Sequence, residues 1–180
     1  MPGHRIHIFG ASGSGTSTLG RALAGSLASQ HFDSDDFYWL PTDPPFTDKR
    51  RVADRVNLME QVFLPRRDWV LSGSLDSWSD GIAHRFTLAV FVELETKERL
   101  TRLEAREERR LGGWASATPG ERAAVKGFLD WAAGYDTGVF AGRSRDRHLH
   151  WMQGLACPVM HLNAAAPVED LVSQILQELD

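Results

Sequence analysis

Apolar positions along the chain fall into two rhythms. Short, nearly continuous apolar runs at residues 5–9, 69–74, 86–94 and 158–162 have the length and bounding residues of buried strands. Residues 31–36 read as a further short strand whose carboxyl end carries acids. Between these runs the apolar residues recur every three to four positions, the period of a helix with one buried face. Leu19, Ala22, Leu23 and Leu27 mark a helix over residues 17–30; Val52, Val56, Met59, Val62 and Phe63 mark one over 49–64 that Pro65 stops. Leu100 and Leu103 give the stripe of a helix from Thr96 to about residue 110, and Val125, Phe128, Leu129 and Ala132 that of one over 121–133. A short basic helix is expected over 143–153, and Val168, Leu171, Val172, Ile175 and Leu176 define a closing helix over 167–179. Pro41, Pro44 and Pro45 make residues 41–48 a loop, and residues 77–83 read as a short helix or turn.

Strand and helix thus alternate about five times, which predicts a single α/β domain: a five-stranded parallel sheet with helices on both faces. Such sheets bind ligands beyond the carboxyl ends of their strands. Three of those ends carry chemistry: residues 10–18, 33–36 and 72–74.

The first end decides the picture. Gly10-Ala11-Ser12-Gly13-Ser14-Gly15-Thr16-Ser17-Thr18 follows a strand and opens a helix, with Gly10 and Gly15 spaced as in G-x-x-x-x-G-K-[ST]. Glycines let such a turn aim backbone N–H groups at phosphate oxygens, and the helix adds its positive dipole end. Gly10, Ser12, Gly13, Ser14, Gly15, Thr16, Ser17 and Thr18 are the expected nucleotide-binding residues of the loop, and Ser17 holds the position of the Mg²⁺-binding hydroxyl. The position of the phosphate-binding lysine is Thr16, which carries no charge. The loop therefore has a phosphate-shaped backbone without its usual cation.

Composition narrows the alternatives. The 180 residues suit one domain, the 42% hydrophobic content is ordinary, and a net charge of −4 does not suggest a nucleic-acid surface. The lone Cys157 fits a reducing, cytoplasmic setting; the strand starting near residue 5 leaves no room for a leader, and no apolar run approaches the roughly 18–20 residues of a membrane span. Basic charge comes from 17 arginines against 3 lysines, and arginine grips phosphate through two parallel hydrogen bonds.

These motifs together resemble the adenylate-kinase-like family of small P-loop kinases, which includes nucleoside monophosphate, shikimate and gluconate kinases. The likeness rests on the phosphate loop at 10–18, Asp33-Ser34-Asp35 after the second strand, Gly73 at the third strand end, and a helix bearing Arg99, Arg102, Arg106, Arg109 and Arg110. Phe128-Leu129-x-Trp131 most resembles the topology-modulation branch. The resemblance implies a P-loop NTPase fold, transfer of the γ-phosphoryl group of ATP with Mg²⁺ to a nucleotide or small acceptor, and a lid at about residues 106–120 whose arginines reach the phosphates.

Within that frame, Asp33 and Asp35 alternate and would face one side of an extended strand end, one holding Mg²⁺ through water and the other meeting the acceptor hydroxyl. Asp36 reads as a cap. Arg106, Arg109 and Arg110 are candidates to supply the missing charge, with Arg143 and Arg147 as a second basic wall; interleaved Glu104, Glu107 and Glu108 also allow a plain solvated face. Trp39, Ser72, Gly73 and Ser74 are candidate acceptor contacts, Asp76 a weaker candidate for ordering metal-bound water, and Arg85 belongs at the opposite end of the sheet. Trp78 and Trp131 are expected in the core. His148, His150 and His161 lack the partner spacing of a metal site. Two functions follow: a small-molecule kinase, or a nucleotide-binding regulator without turnover, to which the threonine at position 16 points.

Overall fold

The computed structural model describes residues 3–179. Strands β1 (Arg5–Gly10), β2 (His31–Asp33), β3 (Trp69–Ser72), β4 (Leu88–Glu93) and β5 (Val159–Asn163) form one parallel sheet in the order β2-β3-β1-β4-β5. The helices are α1 (Thr16–Ser26), α2 (Ser34–Tyr38), α3 (Val52–Val62), α4 (Thr96–Arg110), α5 (Pro119–Ala133), α6 (Arg145–Met152) and α7 (Val168–Leu179).

The strands alternate their side chains between two cores, as the pleat requires. Ile6, Ile8, Val70, Leu88, Val90 and Val92 point to one face, where Leu19 and Leu23 of α1 and Leu171, Val172 and Ile175 of α7 cover them. Trp69 and Leu71 point to the other face, against Met59 of α3 with Phe63, Leu64 and Phe37. Phe9, Ala89 and Phe91 share that face and pack on α6 through Leu149, Trp151 and Met152. His7 is enclosed there between the rings of Phe9 and Phe86, at 5.4 and 4.9 Å. Burial pushes its pKa down to about 3, so it sits in the core as a neutral ring.

The expected strand–helix order is present, with shorter elements. β3 stops at Ser72 because Gly73 turns left-handed at φ 109°. The expected short helix or turn over 77–83 is a run of turns to residue 82, followed by a single 3₁₀ turn at Ala83–Arg85. Arg85 pairs with Glu60 ahead of β4, at the sheet end opposite the cleft. The acids after β2 depart most from expectation: the strand ends at Asp33, and Asp35 and Asp36 lie in the first turn of α2. Asp33 is the N-cap of that helix, its carboxylate accepting from the Asp35 amide, so the three residues are a strand-to-helix turn and not an extended pair.

Residues 106–120, the expected lid, comprise the last turn of α4, a connection through Gly112 and Gly113, and the start of α5. Thr118 and Glu121 close a capping box there, with Pro119 in the first turn. Cys157 is half-buried beside β5.

Ile8 is fully buried in the central strand. Ile8→Ala is expected to cost about 2–5 kcal/mol, a fall in unfolding midpoint of roughly 4–20 °C, read by thermal denaturation.

Candidate active site

The phosphate loop leaves β1 at Gly10, where the ends of β1 and β4 approach so closely that a Cβ would stand 2.3 Å from the Val92 carbonyl oxygen. Gly13 and Gly15 turn left-handed, at φ 83° and 92°. Ser14 is buried and closes the turn with its hydroxyl and amide both donating to the Ala11 carbonyl, at 2.8 and 3.1 Å. The N-terminus of α1 has no side-chain cap and no acid in its first turn. Its leading N–H groups are therefore open to an anion.

Behind the loop lies Arg99, fully buried. Its guanidinium donates to the carbonyls of Leu94 (3.0 Å), Ala132 (3.2 Å) and Ser12 (3.5 Å), to Thr96 Oγ1 and to Asp136, both at 2.8 Å. Its ring partner is Tyr135, 5.2 Å away. These bonds consume its donors, so Arg99 holds the loop from behind.

At the front of the loop, Ser17 Oγ donates to Asp33 Oδ2 at 2.6 Å. Asp33 thus serves two elements: Oδ1 caps α2 and Oδ2 meets the start of α1. Ser72 Oγ stands 3.4 Å from Ser17 Oγ and 3.5 Å from Asp33 Oδ2, and is held by His31 Nε2 at 2.8 Å. A hydroxyl and a carboxylate oxygen converging beside open helix-end N–H groups are the hard oxygen donors that Mg²⁺ takes with a phosphate. The residues present fit a magnesium-bound nucleotide.

Asp35 is exposed in the first turn of α2. Desolvation raises its pKa, with Asp33 and Asp36 adding to the rise, while the guanidinium groups of Arg143 and Arg106 oppose it. Arg143 Nη1 lies 3.3 Å from Ser12 Oγ. One guanidinium thus touches the phosphate loop and faces the acid of α2. Arg102 also approaches the loop: a Cβ on Gly15 would be 3.6 Å from its Nη1, and its Nη2 donates to Ala164 O at 3.2 Å.

The other candidates divide. Arg106 and Arg110 both bond the buried carboxylate of Glu107, at 3.2 and 2.7 Å, and Arg106 alone also acts on Asp35. Arg109 Nε donates back to Ala105 O of its own helix. Of the expected second basic wall, Arg147 is tied to Asp76 at 2.9 Å, whereas Arg143 meets Ser12; their neighbour Arg145 is tied to Glu93 at 2.8 Å. Asp76 is correspondingly spent on Arg147 and Ser74. Gly73 abuts Ser34, where a Cβ would come 1.9 Å from the hydroxyl. Trp39 is half-buried, packed on Tyr38 and Phe46 at 4.8 and 6.0 Å. Trp78 is in the core, whereas Trp131 is half-exposed on α5.

Ser74 does not offer its hydroxyl to the cleft. It is buried, with Asp76 Oδ1 at 2.7 Å and His148 Nε2 at 2.9 Å, while Tyr135 OH meets His148 Nδ1 at 2.8 Å. The carboxylate can only accept, so Ser74 donates to it and accepts from His148 Nε2–H, and Tyr135 donates to Nδ1. This buried chain ties α6 and the end of α5 to the turn after β3. Burial pushes the His148 pKa down to about 4, against a rise from Asp76.

The sequence reading missed Arg55 and His31. Arg55, on α3, is 6% exposed, stacks over Tyr38 at 3.9 Å and Trp78 at 5.1 Å, and donates through Nε to Arg50 O at 2.7 Å. A lone arginine amid apolar spacing gave no signal beyond its polarity in a helix face. His31 bonds Ser72 across 41 positions, which no local pattern reports.

Over 174 residues the chain is 40% identical to the Bacillus subtilis (strain 168) protein described as "Uncharacterized protein YqaC", covering 97% of this chain and 96% of that one. The chain belongs to the YqaC family. No family model matches the sequence. Solved structures similar to this YqaC-family chain include a shikimate kinase from Bacteroides thetaiotaomicron (TM-score 0.57, 17% identity, 98% of each chain). A shikimate kinase from Acinetobacter baumannii in complex with shikimate also matches (0.54, 16%, 98% of this chain and 92% of that one). A gluconokinase from Sinorhizobium meliloti 1021 gives 0.52 at 17% identity, covering 98% and 90%. At these identities the likeness establishes the fold: the YqaC-family chain has the P-loop kinase fold.

The His148 chain generates a stability prediction. Its folded pKa of about 4 lies below the ordinary 6.5. Between these values the unfolded chain binds a proton that the folded chain does not, so stability falls as pH drops through that window. The unfolding midpoint is expected to decline from pH 6.5 toward pH 4, buried His7 acting in the same direction, and His148→Gln to lower the midpoint at pH 7 and make that decline shallower without abolishing it.

Proposed function

We propose that this YqaC-family protein is a cytoplasmic, adenylate-kinase-like phosphotransferase that moves the γ-phosphoryl group of MgATP to a small hydroxylated or nucleotide acceptor. The observation that carries the reading is the convergence of Ser17 Oγ and Asp33 Oδ2, 2.6 Å apart, on an uncapped helix N-terminus. The shared fold with shikimate and gluconate kinases supports it.

MgATP supplies the phosphoryl group and the divalent charge. The backbone of Ser12 to Thr18 cradles the phosphates, and Ser17 and Asp33 hold the metal. Asp35 takes the proton of the acceptor hydroxyl, its raised pKa suiting a base (desolvation being the largest cause). Ser72 and Gly73 border the acceptor. Residues 106–120 fold over the nucleotide and bring Arg106 toward the transferring group. Phosphoryl transfer depends mainly on positioning and charge neutralisation, so the cation absent at Thr16 must be replaced. Arg143, 3.3 Å from Ser12 Oγ and electrostatically felt at Asp35, takes that role.

The second reading, a nucleotide-binding regulator without turnover, is favoured by Thr16 alone. Thermal unfolding separates binding from its absence: ligand at 100 times its dissociation constant adds about 2.7 kcal/mol, a rise of roughly 5–10 °C for a domain of this size. A flat response to millimolar MgATP sinks both readings. Binding with no turnover on any hydroxylated acceptor leaves the regulator.

Complementation tests the replacement cation. Arg143→Ala is expected to weaken MgATP binding roughly ten- to hundredfold, the value of a charged hydrogen bond. Thr16→Lys is expected to restore affinity in that background and to weaken activity in the otherwise unaltered protein, where two cations would crowd one anion. Failure of the lysine to rescue would remove Arg143 from this role.

The Asp35 reading has a pH signature. Arg143 opposes the rise in the Asp35 pKa, so Arg143→Ala is expected to move the acid limb of the kcat profile to higher pH. An unmoved limb would take the base role from Asp35.

A further inference from the structure

The two arginines that face Asp35 each lie over an aromatic ring of the same helix. Arg106 stands over Phe128, 5.6 Å from the ring centre, and Arg143 over Trp131, at 5.9 Å. Phe128 and Trp131 are three positions apart on α5, so they share a face, and their rings stack with centroids 6.1 Å apart at 27°. Neither ring is buried, although an apolar stripe on a helix ordinarily turns such residues inward. Val125 and Ala132 are the buried residues of α5, and Phe128, three and four positions from them, lies beside them on the same face with its ring only partly covered. Trp131 extends that face at its edge, so the aromatic pair borders the core of the helix.

We propose that Phe128 and Trp131 form a cation–π shelf that holds Arg106 and Arg143 at the phosphoryl-transfer site, making them positioning residues for the charge that Thr16 does not supply. This rests on the kinase reading above. A lysine within the phosphate loop is aimed by the loop's own backbone. A guanidinium arriving from a distant segment on a long flexible stem needs a surface that limits its rotamers without neutralising it. A carboxylate would hold the arginine but cancel its charge, whereas a ring face attracts the cation and leaves its N–H edges free; Arg143 has no carboxylate partner among the described residues, and Arg106 has the ring in addition to Glu107. Trp131 adds a second restraint: its indole N–H donates to Ala141 O at 3.4 Å, two residues before Arg143. The same side chain thus orients the segment and the guanidinium it carries. Arg143 also keeps its contact to Ser12, and Arg106 its bond to Glu107, so each arginine is held from two sides. The opposition of both arginines to the raised pKa of Asp35 agrees with this placement.

The test uses Phe128→Leu and Trp131→Leu, with Phe128→Tyr and Trp131→Phe as variants that keep a ring. One readout is independent of function: the NMR resonances of the arginine side chains in the full chain without nucleotide. Ring currents are expected to displace the Arg106 and Arg143 signals. Phe128→Leu should return only Arg106 to its ordinary position and Trp131→Leu only Arg143, with the Tyr and Phe variants keeping the displacement. Undisplaced signals in the unaltered protein overturn the shelf. The second readout is the ratio of ATP to ADP affinity by calorimetry. Each leucine variant is expected to lower that ratio about two- to fivefold, the measure of an exposed cation–π contact, with ADP affinity and unfolding midpoint nearly unchanged. Equal loss for ATP and ADP would make the rings base contacts and overturn the proposal. Displaced arginine signals with no ATP binding by the unaltered protein would instead overturn the kinase reading, and with it the shelf's proposed task.

Discussion

The buried guanidinium of Arg99 is the constraint on which the site depends. It binds three carbonyls from three segments: Leu94 beyond β4, Ser12 in the phosphate loop and Ala132 near the end of α5. Its charge is balanced by Asp136 and its hydrogen bonds are extended by Thr96. A buried charge that lost these partners would cost several kcal/mol, so the segments are held together as a set. Gly13 lets the loop close on α4, where a Cβ would sit 2.6 Å from the Arg99 carbonyl oxygen. The loop's shape is thereby set by the helix behind it as well as by its own glycines.

A division of labour among the arginines follows. Arg99 is structural because every direction around it is occupied by acceptors. Arg147 and Arg145 are neutralised by Asp76 and Glu93 and pin α6 to the turn after β3 and to the end of β4. Arg110 is spent on Glu107. Arg106 shares Glu107 with Arg110 but also acts on Asp35, Arg102 stands beside Gly15 with a carbonyl partner, and Arg143 meets Ser12 with no carboxylate partner among the described residues. Seventeen arginines thus serve several ends, and only their partners tell these apart.

Much of the fold was legible because it rests on local periodicity. The apolar runs predicted the parallel sheet, and Gly10, Gly15 and Ser17 marked the loop that the structure builds at the end of β1. The acids were legible as the end of a strand but not in their geometry. Extended alternation placed Asp33 and Asp35 on one side, whereas Asp33, as an N-cap, turned the chain into α2. Ser74 looked like a lining hydroxyl, yet its partners His148 and Asp76 enclose it; that pairing spans 74 positions and has no local signature. Arg147 and Arg143 belong to one basic run in sequence, and only Asp76 distinguishes them.

The contact between Arg143 and Ser12 joins residues 131 positions apart. A lysine inside the loop would come with the loop, formed as soon as β1 and α1 dock. Arg143 comes to the loop only when the chain beyond α5 has settled into place, whereas Arg102 reaches Gly15 from α4. Local opening of that connection would leave the glycine turn intact and withdraw the Arg143 guanidinium from it. The electrostatic character of the loop is consequently a property of the whole domain's stability, and mutations far from the loop can change it without touching any residue of the loop itself.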